Sequence, residues 1–323
     1  MFIDRWPRGI TFDRGFRLIG TPLGFVGSTN PGLLFLSSID DPIPTRECRV
    51  LSTPFTAAAI ATQSRGLDSL TLEYERKVRL GRMDIRLLSS GLGPGAAQLE
   101  IGFGNRRILY CSGVRLSPPL HSPVAEVPKC DLLILDTPPA EPKPPSARTS
   151  SRRLAEWTTE QLAGGRIPTV VCNNNLAALD AAWILSKLEC TIHASRPLFE
   201  MLRRVEPMGF AVPRMVRLNQ TWPTEGAVLH LDHLWPRSPF FDQTGGSTAH
   251  VGPGRTAPRW ASISFRLGEK EDRPGLVSYV KQTGASQVAL GPCCDATTAS
   301  MIEKAGIRVH HVKSPTQMPL PLN

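Results

Sequence analysis

The chain has 323 residues with 41% hydrophobic positions and a mean hydropathy of −0.12, which is enough to bury one large or two medium cores. No apolar run reaches membrane-spanning length, and the opening Met1-Phe2-Ile3-Asp4-Arg5-Trp6 lacks the basic-then-apolar layout of a signal peptide; a cytoplasmic location and no membrane partner are expected. The net charge is +9, and 29 of the 37 basic residues are arginine. That bias suits a phosphate-binding surface, because the guanidinium is a planar fork of donors, and it also follows from a GC-rich genome. The seven scattered cysteines argue against a disulfide framework.

The first 135 or so residues read as strands with short turns. Leu34-Phe35-Leu36 is a buried strand leading into Ser37-Ser38-Ile39-Asp40-Asp41-Pro42, and an alanine-rich helix follows over Phe55–Thr62. Ala97–Phe103 and Arg107–Cys111 form a hairpin around Gly104-Asn105. Asp131-Leu132-Leu133-Ile134-Leu135-Asp136 is an apolar strand ending on a carboxylate. Five prolines within Pro138–Pro145 exclude helix and inner strand and mark a boundary.

Beyond that boundary the spacing predicts a helix over Arg152–Leu162 capped near Ser150 or Ser151, a strand Ile167–Cys172, and helices Leu176–Leu188 and Pro197–Val205. This alternation points to a small α/β domain on a parallel sheet. Trp235–Arg259, rich in Pro, Gly, Ser and Thr, reads as a long surface loop. Strand Ala261–Leu267, helix Pro274–Gln282, strand Gln287–Leu290, a helix from Asp295 to Gly306 and a last strand Ile307–Val312 complete the chain.

Several segments carry a common pattern. Gly91-Leu92-Gly93-Pro94-Gly95-Ala96-Ala97-Gln98 precedes the hairpin, and Tyr110-Cys111-Ser112-Gly113-Val114 follows it. Later come Phe265-Arg266-Leu267-Gly268-Glu269-Lys270-Glu271-Asp272-Arg273-Pro274-Gly275-Leu276, then Thr283-Gly284-Ala285 and Val288-Ala289-Leu290-Gly291-Pro292. In order and spacing these resemble motifs of the metallo-β-lactamase/β-CASP nucleases: Gly-His-x-x-Gly-x-Ala-Gln, Tyr-Thr-Gly-Asp-Phe, Phe-x-Leu-Ser-Asp-His-Ala-Asp-Trp-Pro-Gly-Leu, and Thr-Gly-Ala before Val-x-Val-Thr-His. Cys130–Pro138 resembles the family's Cys-Asp-x-Leu-x-x-Glu-x-Thr strand. The branch most similar is that of bacterial ligase-associated DNA exonucleases, or mRNA 3′-end processing factors.

The resemblance implies an α/β fold, a metallo-β-lactamase αββα sandwich in two parts (1–145 and 261–323) with an inserted β-CASP domain (146–260). It also implies that the metal chemistry is lost. Such nucleases need several His and Asp ligands around two metals. The ligand positions here fall on Ser37, Ile39, Asp41, Pro42, Leu92, Gly113, Lys270 and Pro292, and only Asp41 keeps a competent side chain. Asp136 stands where the family has a strand-end Glu. His230 and His233 flank Asp232 at a spacing a metal can use, yet far in sequence from these motifs. There is no nucleophile elbow and no phosphate-binding loop.

The reading is therefore a pseudo-nuclease with no catalytic residues, no metal and no cofactor. It would keep a two-lobed fold with a basic cleft and bind DNA or RNA, or pair with an active homologue in DNA repair or RNA processing. Arg148, Arg152, Arg153, Arg255 and Arg259 are the phosphate-contact candidates. Two alternatives stay open: an active exonuclease or RNase with an altered metal site drawing on Asp40, Asp41 and Asp136, and a purely structural subunit.

Overall fold

A computed structural model of the chain describes residues 9–28, 31–44, 48–61, 66–140, 143–243, 247–254, 257–312 and 316–318. Strands β1 (Ile10–Phe12), β2 (Phe16–Leu18), β3 (Leu23–Phe25), β4 (Leu33–Phe35) and β5 (Arg49–Ser52) come first, then helix α1 (Pro54–Ile60) and β6 (Ser69–Thr71). β7 (Val78–Leu80), β8 (Met83–Ser89), β9 (Ala97–Phe103), β10 (Arg106–Cys111) and β11 (Leu132–Leu135) follow. The chain then builds α2 (Ala147–Ala163), β12 (Thr169–Cys172), α3 (Asn175–Leu185), β13 (Ile192–Ala194), α4 (Arg196–Val205), β14 (Met215–Arg217), β15 (Ala227–Leu231), β16 (Thr248–Val251) and β17 (Ile263–Phe265). It closes with α5 (Arg273–Thr283), β18 (Gln287–Leu290), α6 (Ala296–Lys304), β19 (Arg308–His311) and β20 (Thr316–Met318).

The architecture is mixed α/β, built on three sheets: β20-β1-β2-β3-β4-β5-β6, β19-β18-β11-β10-β9-β8-β7, and β14-β13-β15-β12-β16-β17. The first two pack face to face. Successive side chains of a strand point to opposite faces, so the unbroken apolar runs of β10, β11 and β18 serve two cores at once. Ile108, Tyr110, Leu132, Ile134 and Ala289 enter the inter-sheet core with Phe16, Phe25 and Phe35. Leu109, Cys111, Leu133, Leu135, Val288 and Leu290 face the other way, onto α5 and α6. On the far side, Leu34 and Val50 pack with Ile60 of α1. The Tyr110 ring centres the inter-sheet core, stacked 4.1 Å from Phe25.

Strands β12 to β17 form a third, wholly parallel sheet, as the strand–helix alternation implies. Val170 and Cys172, with alternate residues of β15 and β16, face α3, α4 and Leu154 of α2. Val171 faces the opposite way, under Trp235 and Phe240.

Four local expectations change. Helix α2 begins at Ala147, capped by Ser146 accepting from the Thr149 amide, well before the expected Ser150 or Ser151. Within the expected loop Trp235–Arg259, Trp235 is 1% exposed and β16 is an inner strand between β12 and β17. The third sheet runs past residue 260, because β17 pairs with β16. The chain's last strand is β20, antiparallel to β1. Helix α1 ends at Ile60, and Thr62, its expected end, lies outside the described residues.

Candidate functional site

Loops from both lobes meet in a cleft of about 510 Å³. One wall is the carboxyl edge of the third sheet: Asn174 after β12, Pro253-Gly254 after β16, and Gly268-Glu269 after β17. This edge includes the point where the strand order reverses around β12, the usual position for a ligand in an open parallel sheet. The other wall holds Ser38, Asp40 and Asp41 after β4, Leu92 after β8, Ser112 after β10, and Pro138-Pro139-Ala140 after β11. Lys270 projects from the returning segment.

Most of the positions matched to family ligands do converge here. Ser37 donates through its amide (2.5 Å) and its hydroxyl (2.8 Å) to Asp41 Oδ2, and the Ser38 amide adds a third bond at 3.1 Å. The Ser37 and Ser112 hydroxyls are hydrogen-bonded to each other. Asp41 is thus spent on folding its own loop. Burial pushes its carboxyl above the ordinary range, against the pull of these donors and of Lys270.

Gly113 lies beneath two side chains. A Cβ built there would sit 3.0 Å from Leu92 Cδ1 and 3.0 Å from Lys270 Cε, while Lys270 Nζ donates to Ser112 O at 2.9 Å. A side chain at position 113 would press on the lysine stem and the leucine. The flanking motif residues survive for a different reason. Gly91 has φ +72° and its missing Cβ would meet Arg115 O at 2.3 Å, so only glycine suits the turn. Gln98, fully buried, donates to Ser89 O and Glu126 O at 2.9 Å and accepts from Tyr279. These residues hold loops together rather than reacting groups.

Other positions diverge. Ile39 is buried among residues of the third-sheet lobe, and Pro42 and Pro292 are exposed. Asp136 accepts from Tyr110 Oη (3.4 Å) and Cys293 Sγ (3.3 Å), and burial pushes its carboxyl up. Asp40 turns into the third-sheet lobe, where it accepts from the Asn175 amide (2.7 Å) and the Leu176 amide (3.3 Å) at the start of α3. Burial outweighs these bonds and lifts its pKa to about 6. Asp40, Asp41 and Asp136 therefore hold three separate sets of partners. Among the described residues no three His, Cys, Asp or Glu side chains are grouped to hold a metal ion. With an ammonium, a leucine and a glycine at the matched positions, this donor set does not fit a dinuclear metal centre.

His230 and His233 differ in setting. His230 is buried on β15 with its ring 5.1 Å from that of Trp235, and His233 is exposed.

Among the described residues the cleft is not the basic one expected: its lining carries Asp40, Asp41 and Glu269, the last paired with Arg266, against Lys270, a poor balance for a phosphate chain. Arg148, Arg152, Arg153 and Arg259 are exposed elsewhere, and none lines the cleft; Arg152 lies 3.6 Å from Glu156. Arg255 lies outside the described residues. Sequence reading missed the polar ties between the lobes: Asn175 and Leu176 on Asp40, and Asp180, whose carboxylate lies 2.9 Å from His121 Nε2 and accepts from the Gly268 amide at 3.2 Å. The run Asn173-Asn174-Asn175 after an apolar strand was the available signal, since Asn is a preferred helix cap.

No family model and no curated protein matches the chain in sequence. In fold it is similar to a solved structure described as a protein of unknown function from Enterococcus faecalis V583, with a TM-score of 0.62 and 13% identity, covering 89% of this chain and 81% of that one. The likeness bears on the mixed α/β fold alone. No helix among the described residues is long and apolar enough to cross a membrane.

Proposed function

We propose that this chain is a pseudo-nuclease on the metallo-β-lactamase/β-CASP plan, which binds nucleic acid without cleaving it. The face-to-face sheets with helices outside, and a parallel α/β lobe inserted between β11 and α5, agree with that plan. One observation carries the loss of hydrolysis: Lys270 and Leu92 fill the space over Gly113. A bridging carboxylate enters there only if they shift, and an ammonium held beside it repels the divalent cation such chemistry requires.

The net charge of +9 supports nucleic acid as the partner. Pairing with an active homologue has less support, because the exposed large hydrophobics among the described residues are Val124, Met208 and Val216, short of a contiguous apolar interface. The test is incubation with end-labelled DNA and RNA, single- and double-stranded, in zinc and in manganese. Retarded but intact strands are expected. Cleavage that disappears in Asp41→Ala would overturn the proposal.

A further inference from the structure

The acidic lining of the cleft leaves open where a polyanion would dock. The α2 arginines share their helix with Glu156 and Glu160. A denser basic surface lies on the opposite margin of the third sheet. Helix α4 is strongly two-sided: Leu198, Met201, Leu202 and Val205 are buried, while Arg196, Arg203 and Arg204 are exposed. Edge strand β14 runs beside it, with Arg217 at its carboxyl end and Arg214 just before it, both exposed.

These groups are close in space. Glu200 accepts from Arg196 Nε at 2.8 Å, and its carboxyl is held below the ordinary range first by that bond and then by the charges of Arg217 and Arg204. Helix α4 packs against β14, which brings Arg217 to the same margin as Arg196 and Arg204. Arg203 pairs with Glu206. Five arginines face two glutamates on this surface, an excess of three positive charges. At its far end the Glu189 carbonyl accepts from Arg214.

We infer that the α4–β14 face is the surface that binds the phosphate backbone of nucleic acid, with Arg204 and Arg217 as its principal contacts; this rests on the nucleic-acid reading above. Two features favour a phosphate chain over an acidic peptide. The four cations on α4 and β14, and Arg214 just before β14, are all arginines, which grip phosphate oxygens two at a time. The open edge of β14 spans three residues, too short to template a bound strand, which draws its affinity from a run of main-chain bonds. Met208 and Val216, two of the three exposed large hydrophobics, lie on the same margin and offer apolar contact to sugars and bases.

Fluorescence anisotropy with labelled duplex DNA, single-stranded DNA and RNA, titrated with salt, tests the surface in the full chain. Each phosphate contact removed costs about eightfold in affinity at 0.1 M salt on duplex DNA. Arg204→Gln with Arg217→Gln should then weaken binding about 60-fold and flatten the log–log salt slope by about two. Arg152→Gln with Arg153→Gln should change affinity less than about twofold. Both pairs are exposed, and circular dichroism verifies that each variant folds. Undiminished binding in the α4–β14 variant overturns the surface while leaving the nucleic-acid reading intact. Failure of the unmutated protein to bind any of the three probes overturns both, and capture of polyglutamate in their place assigns the face to an acidic protein.

Discussion

Lys270→Met separates the lysine's stem from its charge. Methionine keeps an apolar chain over Gly113 and Leu92, so the packing around the site changes little. The ammonium disappears, and with it the bond to Ser112 O at 2.9 Å. A hydrogen bond to a charged group contributes about 1.5–3 kcal/mol. Asp41 and Asp136, both pushed up by burial, also lose the cation that draws them back down. Their folded pKa values then rise further. A carboxyl whose folded pKa exceeds its unfolded value stabilises the fold below the unfolded value and loses that contribution as pH rises through the folded one. The variant's deficit should therefore be larger near pH 8 than near pH 4.5. Urea denaturation followed by tryptophan fluorescence at the two pH values measures it. An equal deficit at both would refute the coupling to the two acids, and a deficit under about 0.5 kcal/mol at both would refute any structural role for the charge.

Three further outcomes are expected. Asp40, with a pKa of about 6 against an ordinary 3.8, removes about 3 kcal/mol of stability as pH rises from about 4 to about 6; Asp40→Asn should flatten that part of the pH–stability curve, and an unchanged curve argues against it. Gly113→Asp crowds Leu92 and Lys270 and should cost about 1–3 kcal/mol, with Lys270→Ala in the same chain recovering half or more; simple additivity in the double-mutant cycle would deny the contact. Asp180→Ala leaves His121 and the Gly268 amide without their shared carboxylate and should lower stability by about 3 kcal/mol, read as a loss of several degrees in Tm.

What could be read from the sequence was local. The runs of β10, β11 and β18 are apolar without interruption because both of their faces are buried, so their pattern needed no tertiary knowledge. The start of α2 was hidden because its cap, Ser146, directly follows Pro144-Pro145, while the first buried apolar residue after Ala147 is Leu154. Strand β16 was illegible for a non-local reason: Thr248-Ala249-His250-Val251 is short and half polar, and only pairing with β12 and β17 makes it an inner strand. The meeting of Asp41, Leu92, Gly113 and Lys270 was legible from motif order. That Lys270 occupies the space over Gly113 was not, because residues 157 positions apart in the chain meet there only after folding. The sign of the cleft's charge was equally hidden, since a net charge says nothing about which residues line it.

Elemental analysis of the purified protein, dialysed against zinc and then manganese with a phosphodiester hydrolysis assay alongside, shows whether the cleft holds metal. A fixed ammonium over Gly113 predicts metal far below one equivalent per chain and no hydrolysis in either ion. Two tightly held metals per chain, with hydrolysis lost in Asp41→Ala, would contradict it.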